Sequence, residues 1–226
     1  MIRLNIIVEG ETEEIFVNNT LVDHLGQFQI STSACRITTN KAKGKKGGLE
    51  NYAKVENDIN RWLKQQSKQD VRFTTMFDLY ALPNEFPSFE QANKLSDPYR
   101  KVELLETAFA SSINDNRFIP YIQLYEFESL IFTNLEEIYK SFPEYDEYKN
   151  EINRLSTECS SYSSPEFINQ GVTTAPSKRL AKVIPRYDKL KTTLAPQVIQ
   201  KIGLVKIREK CLHFNQWITQ LENLQI

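Results

Sequence analysis

Several things are scarce in this chain, and each scarcity excludes something. Its 226 residues include three cysteines, Cys35, Cys159 and Cys211, with no Cys-x-x-Cys pair. An odd, scattered set makes neither a disulfide framework nor a zinc site, so the thiols read as reduced packing residues. No apolar run approaches the ~20 residues of a bilayer span. The opening Met1–Val8 is too short for a signal peptide and has no small-residue cleavage site. The expectation is a cytoplasmic protein with no membrane partner. Glycine is sparse, and three of the seven fall between Lys41 and Gly48. No G-x-x-x-x-G-K-[ST] loop is present, which leaves little support for a small-molecule phosphotransfer enzyme. There is no internal repeat. Net charge is nearly absent too: 28 Lys+Arg oppose 29 Asp+Glu, for a sum of −1. That argues against a nucleic-acid partner only if the two signs are mixed.

What is present is an alternating pattern. With 40% apolar and 25% charged residues, the chain suits one large domain or two small ones, with a core that needs no staples. Leu4–Val8 is apolar except for Asn5 and reads as a buried strand of a parallel sheet. Gly10 breaks it. Thr12 is a candidate N-cap, with Glu13 and Glu14 in a first turn that favours anions, and Val17, Leu21 and Leu25 carry a helix to about Leu25. Strands are expected at Gln29–Thr38, Arg72–Leu79 and Arg117–Leu124. Helices are expected from Leu49 to about Gln66 and from Tyr99 to Ser112, with Glu126–Phe132 turning into another. This β-α-β-α-β-α-β order predicts a mainly parallel four-stranded sheet covered by helices.

After about Asn134 the strand pattern stops, and the charge turns out to be segregated. Residues 134–161 sum to −4 and residues 176–210 to +8. Ile207, Cys211, Phe214, Ile218 and Leu221 step by 4, 3, 4, 3 and predict one closing helix. On it Lys206, Lys210, His213 and Trp217 share a stripe within about 60°.

Sites of parallel α/β sheets form beyond the carboxyl ends of the strands. Glu9 follows the first strand, Asp78 ends the third, and Glu126 and Glu128 follow the fourth. Hard cations such as Mg²⁺ favour clustered oxygens, and such ions activate water in phosphodiester hydrolysis. Glu13, at i+4 from Glu9, turns back toward the strand end. Glu11 and Glu14 read as solvated first-turn residues.

These residues carry a resemblance. The run Val8-Glu9-Gly10-Glu11-Thr12-Glu13-Glu14-Ile15-Phe16 resembles the V-E-G-x-T-E-x-x-F opening of Toprim-like nucleases, and Phe77-Asp78-Leu79-Tyr80 is similar to their second acidic motif. With Tyr125-Glu126-Phe127-Glu128, Thr174-Ala175-Pro176-Ser177-Lys178-Arg179 and Cys211-Leu212-His213-Phe214, the chain resembles the bacterial family known as domain of unknown function 4276. The resemblance implies a Toprim-type catalytic domain over 1–132 and a helical region over 133–226. It implies an Mg²⁺ (or Mn²⁺) site on Glu9, Glu13 and Asp78, a nuclease activity, and an ABC/SMC-like or AAA-type ATPase beside it in anti-phage defence. Three positions depart from the pattern: Tyr80 stands where D-x-D has its second acid, Tyr125 where the family has His, and Leu212 where it has Pro. Glu126 or Glu128 is then the candidate for the missing metal ligand.

The basic segment supplies the other sign that phosphodiester chemistry needs. Lys178 and Arg179 follow what reads as a helix start, where cations oppose the dipole unless an anionic partner is near. Lys178, Arg179 and Ser177 are therefore candidate phosphate contacts, with Lys178 also offsetting developing charge. Solvated side chains, or bridges to the acidic segment, are the alternative. Lys206 and Lys210 extend the basic stripe. His213 is either a phosphate contact or proton shuttle, or a packed histidine. Trp217 reads as core-edge packing with base stacking as the alternative, and the 41–48 loop as a phosphate-tracking or a solvated loop. Two functions compete: a metal-dependent nuclease acting on DNA or tRNA, and a catalytically silent adaptor or nucleic-acid-binding subunit of an ATPase complex. A homo-oligomer is compatible with both.

Overall fold

Ile2–Val8 forms β1, and Leu4, Ile6, Ile7 and Val8 are at most 1% exposed. Burial without alternation means that both faces are covered, as in a parallel sheet between helices. The computed structural model describes residues 1–37, 49, 51–168 and 174–224. The basic loop expected at 41–48 lies outside them. The chain divides into two compact units, Met1–Gln123 with Thr219–Ile226, and Leu124–Ile218. The bounds expected above divide the chain at 132/133, whereas here residues 124–132 group with the second unit.

In the first unit β1 leads into α1 (Glu11–Phe16), a wider turn at Val17–Leu21 and α2 (Val22–Gly26). β2 (Ile30–Arg36) follows, then α3 (Tyr52–Gln65), β3 (Val71–Asp78), α4 (Phe89–Ala92), α5 (Pro98–Ile113), β4 (Phe118–Ile119) and β5 (Ile122–Gln123). All the pairings are parallel, in the order β2-β1-β3-β4, with β5 also on β3. The expected α/β architecture, a mainly parallel sheet flanked by helices, is therefore present. Its fourth strand is split in two.

The split has a local cause. Pro120 has no N–H to give to a ladder, so β4 and β5 pair with β3 on either side of it. The Thr75 side chain closes the gap: its hydroxyl accepts from the Tyr121 N–H and donates to the Tyr121 carbonyl, both at 2.9 Å. Both residues are buried. Thr75→Val keeps the shape but orphans the Tyr121 N–H and leaves its carbonyl only the longer bond from the Phe77 N–H, at 3.4 Å. It is expected to cost about 1–3 kcal/mol, read as a lower urea midpoint with an unchanged slope.

Helix starts follow the side chains at hand. Asn51 caps α3 by accepting from the Lys54 N–H, and Asp97 caps α5 ahead of Pro98. The N-cap of α1 is Gly10 rather than Thr12, because the Glu13 carboxylate reaches back to the Gly10 N–H at 3.0 Å and no hydroxyl cap is needed. A Cβ at position 10 would lie 3.2 Å from that carboxylate, which favours glycine there. Val17, Leu21 and Leu25 are fully buried, as their spacing predicts.

In the second unit the expected helix after Glu126 is a tight three-residue-per-turn helix, Phe127–Thr133. Then come α6 (Glu137–Ser141), α7 (Lys149–Cys159), α8 (Pro176–Val183), α9 (Tyr187–Ile202) and α10 (Leu204–Lys210), followed by α11 (Leu212–Glu222), whose last turn is grouped with the first unit. The single closing helix expected from the 4, 3, 4, 3 spacing is thus two helices, broken at Cys211. A short turn, Pro165–Phe167, splices the break. Ser164 Oγ donates to the Lys210 carbonyl at the end of α10. The Glu166 carboxylate accepts from the His213 and Phe214 N–H groups at the start of α11. The common stripe of Lys206, Lys210, His213 and Trp217 therefore does not exist as drawn on one helix.

The three cysteines are free, and Cys211 is fully buried, its thiol pushed up chiefly by burial. No helix among the described residues is long and apolar enough to cross a membrane.

Candidate functional site

At the carboxyl edge of the sheet, the register sets Val8 beside Arg36 on β2 and beside Met76 on β3. The next residues along are Glu9 and, after Phe77, Asp78. The two meet: Glu9 Oε1 accepts the Asp78 N–H at 2.6 Å. Both residues keep some exposure, in contrast to the buried strand residues before them. Glu13 sits one turn along α1, largely buried, with one oxygen on the Gly10 N–H. The structure thus gathers Glu9, Asp78 and the Gly10–Glu13 turn at one end of the sheet.

Arg36 belongs to the same edge, and the sequence pattern alone gives it no role. It ends β2 and pairs with Glu14. That hydrogen bond is the main cause of its raised pKa, with the charges of Glu11 and Glu13 adding to it. A basic residue closing one strand, beside the acidic start of a helix, is the signal that could have found it. Tyr80, where the resemblance expects a second acid, lies in the short helical turn after Asp78 and is 44% exposed.

The donors offered by Glu9, Glu13 and Asp78 are carboxylate oxygens, the type a hard cation takes. Among the described residues no group of three or more His, Cys, Asp or Glu side chains is placed to hold one ion. Mg²⁺ is commonly held by one or two carboxylates, with waters and substrate phosphates completing the shell. By donor chemistry, therefore, Glu9 and Asp78 suit that mode.

In the second unit, both Glu126 oxygens are engaged by Ser177: the N–H reaches one at 2.8 Å and the hydroxyl the other at 3.0 Å. Ser177 is the second residue of α8, so an internal carboxylate satisfies a backbone donor that the helix start leaves open. Lys178 lies 3.6 Å from Asp188, an exposed pair, which contributes little by itself. Arg179 is held by the Thr174 carbonyl and the Tyr162 hydroxyl, with its guanidinium 5.9 Å from the Tyr162 ring centre. Glu128 is buried, with Lys191 at 3.9 Å. Lys206 is exposed. Lys210 donates to the Thr133 carbonyl. His213 and Trp217 are buried.

Two residues of this unit escape a reading of the sequence. Glu166 is fully buried and works through backbone N–H groups 47 and 48 positions away, which no local pattern signals. Tyr187 opens α9 with a buried hydroxyl that has no hydrogen-bond partner among the described residues. Burial first, then the charges of Glu128, Glu126 and Asp188, hold its pKa well above the ordinary tyrosine value. In the first unit, His24 pairs with Glu222 at 2.6 Å, another contact that sequence spacing does not announce.

The class is then an α/β protein with two acidic residues, Glu9 and Asp78, joined through a backbone hydrogen bond at the carboxyl edge of a parallel sheet, and with a helical unit that has basic helix starts. The chain belongs to the family described as Domain of unknown function (DUF4276), whose model matches residues 8–222. Among solved structures it is similar to the C-terminal region of the Xanthomonas campestris pv. campestris OLD protein, with 13% identity, a TM-score of 0.34 and 97% of each chain covered. No curated protein matches it in sequence.

Proposed function

We propose that the chain is a Toprim-type nuclease, dependent on Mg²⁺ or Mn²⁺, that hydrolyses phosphodiester bonds of DNA or tRNA. In this reading it is the effector of an anti-phage defence system, working with an ATPase of the ABC/SMC-like or AAA type. The observation that carries the reading is the meeting of Glu9 and Asp78 at the ends of adjacent parallel strands. Glu9 and Asp78 would hold the ion, and Glu13 would fix the Gly10 turn beside them. When bound, the ion supplies a Lewis acid and a water activated for attack on phosphorus. Lys178 and Arg179 would hold the phosphate backbone of the nucleic acid. Glu126 supports that grip by fixing Ser177 at the start of α8.

One observation favours a second reading, a catalytically silent adaptor of an ATPase complex: the second motif has the exposed Tyr80 instead of an acid. The two readings separate in one experiment. Plasmid, single-stranded DNA and tRNA are incubated with the protein and its ATPase in Mg²⁺ or Mn²⁺, and Mg²⁺ is titrated calorimetrically into the protein alone. Metal-dependent cleavage with a carboxylate-dependent heat supports the nuclease. Intact substrates and no heat support the adaptor.

A further inference from the structure

Within the second unit, α7 and α8 enclose a cleft of about 230 Å³. Its walls combine three kinds of group. Arg154 on α7, and Arg179 and Lys182 on α8, bring positive charge. Glu151 and Glu158 flank Arg154 on the same face of α7. Leu155 and Val183 give an apolar lining. The spacings are helical, i, i+3, i+4 and i+7 on α7 and i, i+3 and i+4 on α8, so each set is one face.

We propose that this cleft seats one unstacked nucleotide of a single-stranded nucleic acid. The argument rests on the nucleic-acid reading above and deepens it. A bare phosphate site would need cations alone. A site with cations, carboxylates and an apolar wall offers a place for each part of a nucleotide. Arg154, Arg179 and Lys182 take the phosphate. Glu151 and Glu158 accept from exocyclic amino groups, as carboxylates do from cytosine N4. Leu155 and Val183 pack on the base. The volume lies below the roughly 300–1,000 Å³ of sites that enclose a drug-sized ligand, which suits one nucleotide and not two. A base can enter only when splayed out of a stack, which selects single strands.

The cations also suit the task. Arg179 is oriented in advance by Thr174 and Tyr162, and a guanidinium fixed beforehand loses less freedom on binding phosphate. Arg154 and Lys182 enter no ion pair among the described residues, although Glu158 stands at i+4 from Arg154.

The test is fluorescence anisotropy with a labelled single-stranded 12-mer, as DNA and as RNA, and its duplex form, in metal-free buffer across a salt series. Wild type is compared with Arg154→Glu/Lys182→Glu, with the milder Arg154→Gln/Lys182→Gln, and with Glu151→Gln/Glu158→Gln. Thermal melting confirms that these exposed substitutions leave the fold intact. The charge reversal is expected to weaken single-strand binding at least tenfold. Losing two contacts should lower the slope of log affinity against log salt by about 1.4, at ~0.7 per contact. The Glu variant is expected to keep the salt slope and change the preference between oligo-dC and oligo-dT. Equal single-strand affinity in wild type and charge reversal overturns the proposal, even if wild type cleaves nucleic acid. No binding by wild type overturns it as well. Charge-sensitive binding in a protein that cleaves nothing supports the cleft and sinks the nuclease reading.

Discussion

Glu9→Gln is expected to lower metal-dependent cleavage at least ~10²-fold and to leave the fold nearly unchanged. The substitution separates two jobs that Glu9 holds together. One is structural: Oε1 accepts the Asp78 N–H at 2.6 Å and so ties the end of β1 to the end of β3. A glutamine carbonyl accepts the same bond, as a neutral partner and not a charged one, for a loss of about 1 kcal/mol. The other is the proposed one, holding the ion, and it needs the negative charge. Removing a hydrogen-bond partner of a metal ligand already costs 10–100-fold in affinity or activity, so removing the charge of a ligand itself exceeds that. Glu9→Ala would confound the two, because it also removes the acceptor of the Asp78 N–H. The measurement is initial rate at several Mg²⁺ concentrations, with a melting curve for each protein. If the Gln variant cleaves at the wild-type rate with the metal dependence unchanged, Glu9 holds no ion and the proposed centre is wrong.

How far this could be read from sequence depends on how local the cause is. β1 and β3 are legible because short runs dense in apolar and β-branched residues have few other uses, and their ends locate Glu9 and Asp78 without any tertiary information. α5 is legible because Asp97 and Pro98 mark its start. The Gly10 N-cap is half legible: the turn is visible, but the choice of the Glu13 carboxylate over the Thr12 hydroxyl is a matter of geometry. Pro120 is visible in the fourth strand, whereas its remedy, the hydroxyl of Thr75, lies 45 positions earlier. The closing helix shows the limit most clearly. Its apolar period runs through Cys211 without a fault, since the buried face is continuous although the backbone is not. The break is made by Ser164 and Glu166, which periodicity cannot see. The basic segment was legible as a charge excess, but not as helix starts already served by an internal carboxylate. The opposition of Lys178 to the dipole of α8 is met in part by Glu126 itself, so part of the sequence argument for an external anion is answered within the chain.

Glu166→Ala is expected to be the most destabilising of the substitutions considered, at about 3–5 kcal/mol, because it strips a buried helix start of both of its acceptors. The carboxylate is fully buried and takes the His213 and Phe214 N–H groups at 3.1 and 2.8 Å. Alanine takes this acceptor away from both buried N–H groups, at roughly 1–3 kcal/mol each. It also removes the negative charge that the start of α11 favours. Removing one partner of a buried charged arrangement falls in the same range of about 3–5 kcal/mol. Against a typical total of about 5–15 kcal/mol that is a large fraction, and in a chain of this size it corresponds to a fall in melting temperature of roughly 10 °C. Glu166→Gln is the control: one carbonyl oxygen can serve one of the two donors, so about half of the loss should return. Ser164→Ala, which takes a partner from the Lys210 carbonyl at the end of α10 and from the Glu166 N–H but removes no charge, should cost about 1–2 kcal/mol. Glu166→Ala is expected to be the worst because it alone removes a buried carboxylate together with both of the hydrogen bonds it accepts, and Glu166→Gln and Ser164→Ala should each be milder. Equal losses for the two Glu166 variants would mean that the charge, and not the pair of hydrogen bonds, holds the start of α11.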